Sequence, residues 1–223
     1  MPSTDKLITL TDPRSPGAEA FRTLRTNLIF SSLEHPLTTL LVTSAAPDAE
    51  LLAGKSTTLA NLAVTMAQGW RKTILVDCDL RRPHQHELFG VSAEPGLTSM
   101  ILDASRRDEP ALVATGVENL WLLPSGPLPP NPADLLSSRR MESLIAALKS
   151  RADIVLFAAP PVLAVTDAAL LASKLDGVLL VVSAGQTKRE HALRAKELLE
   201  KINVRLVGAV LTNAQVDTSV GAY

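Results

Sequence analysis

The stretch TSAAPDAELLAGKSTTLANLA, residues 43–63, carries residue types that handle phosphate. AGKSTT (53–58) follows a strand-like apolar run and opens a helix-like one, the context in which such a segment forms a phosphate-binding loop. In that chemistry Gly54 lets the backbone approach a phosphate and Lys55 neutralises β- and γ-phosphate charge. Ser56 ligates magnesium, and the first helical N–H groups, through Thr57, point at the anion. The bland alternative is a helix start with an incidental lysine. ILVDCDLRRP (74–83) ends the next strand with Asp77 and Asp79 at i and i+2. Carboxylates there orient a magnesium ion or accept a hydroxyl proton; a solvated turn capped by aspartate is the competing reading. A second acidic motif should end the strand in DIVLFAAPPVLAVTDAA (153–169), but that run ends in Phe157, Ala158 and Ala159. Asp153 lies at the wrong end of the strand, and Asp167 reads as a helix cap.

These residues need a frame. Apolar runs at 37–45, 72–79, 119–126, 152–160, 177–185 and 204–213 are continuous instead of alternating, as in strands covered on both faces of a parallel sheet. Between them, 54–69, 137–151, 166–176 and 188–202 carry helical periodicity, with Thr166 or Asp167 capping the third. The alternation predicts an α/β fold, a doubly wound and mostly parallel sheet flanked by helices, with ligands at the carboxyl ends of the strands. The segment 124–136 is predicted to be a proline-rich loop, and 16–33 an amphipathic helix. The sequence reads as a single domain over 1–223.

Hydrophobic residues make up 46% and charged residues 20%, with a formal net charge of −1. This composition predicts a soluble globular chain and argues against nucleic-acid binding. No apolar run approaches the roughly 20 residues of a spanning helix, and the N-terminus lacks the pattern of a signal peptide. The single cysteine, Cys78, fits a reducing compartment.

Six segments in order, 15–31, 76–90, 94–101, 129–141, 160–168 and 176–187, resemble the bacterial tyrosine kinases of capsule and exopolysaccharide synthesis, which are P-loop enzymes related to the MinD and ParA ATPases. The resemblance implies ATP or ADP with Mg2+ as cofactor and a ring-shaped homo-oligomer. It implies a membrane polysaccharide co-polymerase that activates the domain at the cytoplasmic face, with no direct membrane insertion. It assigns Lys55, Asp77 and Asp79 to catalysis, and Gly54, Lys55, Ser56 and Thr57 to the nucleotide. Ser56 and Asp77 fall to the metal, and Glu19, Arg22 and Arg25 of an N-terminal region (1–35) to oligomerisation. In the tail (214–223) Tyr223 is the phosphoacceptor candidate. Asn213 either touches adenine or forms a turn.

The chain departs from the family pattern in three places. The family loop resembles SAxPGEGKSTT, whereas SAAPDAELLAGKSTT is four residues longer and lacks the glycine after proline. Asp48, Ala49, Glu50, Leu51 and Leu52 adopt positive φ poorly, and the two acids repel phosphate. Ala158 stands where the family text IIDTPPV has its acid, and Tyr223 is the only tyrosine instead of one of a cluster. The expectation is a damaged nucleotide site with catalysis weak or lost; the insertion either loops outward, leaving GKST in place for residual binding, or fills the nucleotide's space. The alternatives are a ParA- or MinD-type ATPase and a structural ring-former independent of nucleotide. Arg81 and Arg82 meet phosphate, a partner or only solvent. His84 and His86 read as surface residues, and Glu19, Arg22 and Arg25, at i, i+3 and i+6, share a helix face that intrahelical pairing would also explain.

Overall fold

The computed structural model describes residues 7–46, 49–69, 71–103 and 110–214. Asp48, Tyr223 and the rest of the tail after Ala214 lie outside the described residues. In chain order the elements are α1 (Ile8–Thr11), α2 (Pro16–Ser31), β1 (Thr39–Ser44), α3 (Ala49–Gln68), β2 (Thr73–Asp77), α4 (Gln85–Phe89), α5 (Leu97–Leu102) and β3 (Val113–Ala114). They continue with β4 (Leu120–Leu123), α6 (Pro132–Ser137), α7 (Arg139–Lys149), β5 (Ile154–Ala158), α8 (Asp167–Ala172), β6 (Gly177–Ser183), α9 (Arg189–Lys201) and β7 (Leu206–Thr212).

The strands form one seven-stranded sheet in the order β3-β4-β2-β5-β1-β6-β7. Every pairing is parallel except the short β3–β4 pair at one edge. Successive side chains of a strand point to opposite faces. In β1, Leu41 accordingly joins a core cluster with α7, α8 and α9, while Leu40 and Val42 join another with α2 and α3. β5 divides likewise, Val155 and Phe157 on the first face, Ile154, Leu156 and Ala158 on the second. Cover on both faces is why these strands read as unbroken apolar runs.

Helix boundaries follow local chemistry. The Ser15 side chain caps α2 by accepting from Ala18 N at 3.2 Å, with Pro16 in the first turn. Ser138 does the same for α7 from Met141 N. Three expectations need correction. Part of the supposed proline-rich loop is helical: Pro132 sits in the first turn of α6, where its missing N–H costs nothing. Thr166 occupies the N-cap of α8 but makes no side-chain cap bond. Finally, α3 begins at Ala49, not Gly54, so the insertion does not loop outward. Ala-Glu-Leu-Leu-Ala contains only good helix formers and nothing that breaks a helix, so it propagates the helix toward its N-terminus.

The entrance to β1 is fixed by one carboxylate. Asp176 accepts from Thr38 N (3.0 Å), Thr38 Oγ1 (2.6 Å) and Thr39 N (2.9 Å), and its own N–H donates to Thr39 Oγ1 at 2.8 Å. Burial alone would raise the Asp176 carboxyl, but the bonds from Thr38 and Thr39 outweigh it and hold the pKa below the ordinary value. Removing it orphans these donors, so Asp176→Ala should lower stability by about 2 kcal/mol in denaturant titration. Because the folded pKa is depressed, this stabilisation is present above the unfolded carboxylate pKa and is lost as pH falls through the folded one. The gap between wild type and Asp176→Ala should therefore be full at pH 7 and shrink below about pH 4.

Candidate functional site

Parallel pairing brings the carboxyl ends of β1, β2 and β5 to one edge of the sheet, and their register sets the site. Val42 of β1 and Asp77 of β2 both lie level with Ala158 of β5. Cys78 N donates to Ala158 O at 3.1 Å, and Ala159 N donates to Val42 O at 3.0 Å. Ala158, 2% exposed, packs in the core cluster that includes α3. The strand end that would carry the second acid therefore presents a methyl group toward α3.

Lys55 lies in the second turn of α3 and is only 1% exposed. Its Nζ donates to Asp79 Oδ2 at 2.7 Å and to the Ala159 carbonyl. Asp79, 5% exposed, also accepts from Arg82 N at 3.1 Å. The lysine is thus engaged by the chain's own carboxylate and main chain. Gly54 is the sixth residue of α3. From the fifth helical residue onward each N–H is bonded to the carbonyl four residues back, so the amides of Gly54, Lys55, Ser56 and Thr57 belong to the helix. Thr57 Oγ1 donates to Gly54 O at 3.1 Å, and the Ser56 carbonyl accepts from Gln85 Nε2 at 3.3 Å.

Asp77 is buried and accepts three amides: His84 N and Gln85 N at 2.9 Å each and Asp79 N at 3.3 Å. It therefore caps the start of α4. Burial pushes its carboxyl above the usual range; the Asp79 charge adds to this, while the Gln85 and His84 amides and Lys55 pull it back. The Cys78 thiol between the two aspartates is pushed well up, by burial first and then by their charges. Arg81 makes a bidentate pair with Asp167, Nε to Oδ2 at 2.9 Å and Nη2 to Oδ1 at 3.1 Å. Asp167 is fully buried, so it anchors the loop after β2 to α8 instead of only capping a helix. Its bonds to Asp167 hold the guanidinium further in its charged form.

Two buried oxygens near this edge, Ser44 Oγ at the end of β1 and Gln85 Oε1, have no partner among the described residues. His84 pairs with Glu87 at 2.8 Å. Among the described residues no group of three or more His, Cys, Asp or Glu side chains could hold a metal ion. Asn213 adopts a left-handed φ of +55° and donates from Nδ2 to Ser183 Oγ at 3.0 Å. Thr212, which sequence reasoning passed over, reaches the site: a Cβ on Gly54 would lie 3.8 Å from its Oγ1.

On α2, Glu19 pairs with Arg22 at 2.7 Å, and Arg25 Nη1 donates to Thr65 O of α3 at 2.9 Å. The first pair is the intrahelical alternative; the second clamps α2 onto α3. Neither the Arg25 acceptor nor the Ala159 acceptor of Lys55 leaves a trace in the sequence pattern, because both are main-chain carbonyls.

No family model matches the chain. It is 42% identical over 210 residues to tyrosine-protein kinase YwqD of Bacillus subtilis, covering 94% of this chain and 86% of that protein. It is 35% identical over 211 residues to putative tyrosine-protein kinase CapB of Staphylococcus aureus, covering 95% and 90%. Among solved structures, the chimerical protein CapA2B2 superposes with a TM-score of 0.85 at 37% identity, covering 93% of this chain and 89% of that one. The kinase domain of Escherichia coli tyrosine kinase ETK does so with a TM-score of 0.85 at 32% identity, covering 97% and 83%. The Pyrococcus furiosus cell division ATPase MinD, at 24% identity and a TM-score of 0.64 over 80% of this chain and 73% of that one, shares the fold. The chain belongs to the bacterial tyrosine-protein kinase family, on the MinD-like P-loop fold.

Proposed function

We propose that this chain is a non-transferring member of its family, a tyrosine-kinase-like domain that regulates polysaccharide production and export without efficient phosphoryl transfer of its own. One observation carries this reading: α3 runs unbroken from Ala49 through the Gly54–Thr57 segment, so the amides that would cradle a triphosphate close helical hydrogen bonds instead. In an intact site magnesium-ATP supplies the transferable γ-phosphoryl group, and the protein's part is positioning and charge stabilisation. The residues here do not fit that group. Lys55 faces Asp79, Asp77 caps α4, and Ala158 supplies no carboxylate beside Asp77.

The domain works at the cytoplasmic face through a membrane co-polymerase partner and binds no nucleic acid. Among the described residues no helix is long and apolar enough to cross a membrane. Its ring form would use the face of α2 that carries Glu19 and Arg22, both partly exposed beside the docked Arg25. Tyr223 remains the candidate phosphoacceptor, for an active kinase acting in trans. The internal pairing of Lys55 also favours the nucleotide-independent scaffold over a ParA- or MinD-type ATPase cycle.

With labelled ATP and magnesium, transfer to Tyr223 should be at least ~10³-fold slower than for B. subtilis YwqD assayed alongside, and calorimetric titration with ADP should give no saturable heat. Brisk transfer abolished by Lys55→Ala would overturn the proposal. Ala158→Asp alone should not restore transfer, since it leaves the helical amides engaged. For the ring, native mass spectrometry should show a closed oligomer that Arg22→Glu reduces to monomer with unchanged circular dichroism; a wild-type monomer at every concentration would refute it.

A further inference from the structure

We infer that the Lys55–Asp79 ion pair has become a structural latch, an internal bond that holds α3 to the loop after β2 and to the chain after β5. The inference rests on the non-transferring reading and concerns the same site. The ammonium is 1% exposed and the carboxylate 5%, and they meet at 2.7 Å. Through Lys55 the bond joins three segments: α3, the loop after β2 and the main chain after β5 at Ala159. Asp77 stands beside the pair as a second carboxylate, accepting from Asp79 N at 3.3 Å. Asp79 is itself fixed, since its N–H donates to Asp77, its carboxylate accepts from Arg82 N, and Arg81 beside it grips Asp167.

A lysine kept for an anionic ligand and a lysine kept as a latch respond oppositely to removal. The former is a stability liability in the ligand-free protein, so its loss is neutral or stabilising. The latter leaves a buried, uncompensated carboxylate, which is strongly destabilising, whereas replacing both partners by apolar groups of similar volume is tolerated.

The test is thermal unfolding of the full chain without nucleotide. Lys55→Met and Asp79→Asn should each lower Tm by roughly 10 °C, and Lys55→Met/Asp79→Leu should recover at least half of that loss. A lysine ammonium signal in slow exchange with water at pH 7 should be visible by 15N NMR in wild type and absent from Lys55→Met. Should Lys55→Met fail to fold, recovery of a folded protein in the double variant carries the same conclusion. A Tm for Lys55→Met within about 1 °C of wild type, or a double variant no better than the worse single one, overturns the latch. Adding ADP and magnesium separates the two proposals. No shift in wild-type Tm agrees with both, whereas a rise in wild-type Tm with the single variants still destabilised upholds the latch and refutes the loss of nucleotide binding, transfer itself being read by the labelled-ATP assay.

Discussion

An ammonium group placed in a protein interior must find a counter-charge, and the site is arranged around that demand. Lys55 projects from a helix whose packing on the sheet puts its head group beneath the surface, so its partner must come from the chain or from a ligand. Here the chain provides it. Asp79 is delivered by a short loop with little freedom of its own: Asp77 holds the loop's far end by capping α4, and Arg81 holds its middle by a fork to a fully buried Asp167. Each carboxylate at this edge is satisfied within the fold, and each fixes a different segment. Such a network is stable when complete and costly when one member is removed.

The second constraint is competition for backbone amides. An N–H group closing a helical turn cannot also meet a phosphate, so lengthening the helix at its start and binding an anion at Gly54 exclude one another. The insertion decides the contest through propensity: five helix-forming residues move the start of α3 about 7.5 Å from Gly54 along its axis. The glycine and lysine persist as residue types while their surroundings have changed. Identity to tyrosine kinases along nearly the whole chain establishes the fold and the family, whereas the reaction depends on the local geometry of the site.

The same separation holds on α2. Glu19, Arg22 and Arg25 keep the spacing of a family signature, yet within one copy of the chain each already has a neighbour, the first two each other and the third a carbonyl of α3. Arg25 joins α2 to α3 and hence to the helix that carries Lys55.

Much of this molecule was legible in its residues. Unbroken apolar runs announced strands covered on both sides, periodic stretches announced the helices between them, and the chemistry of Lys55, Asp77 and Asp79 was drawn to one edge because parallel strands must end together. The missing carboxylate at Ala158 was equally plain, since an absent residue type needs no coordinates. What the sequence could not determine was what those residues touch. A lysine reads the same whether it faces solvent, phosphate or an aspartate 24 positions away, and main-chain acceptors such as Ala159 O and Thr65 O carry no side-chain signature. Whether the inserted residues form a loop or extend the helix was likewise settled only in the folded chain. Local patterns fix which elements form; the pairing of buried polar groups is fixed by where packing sets those elements against each other.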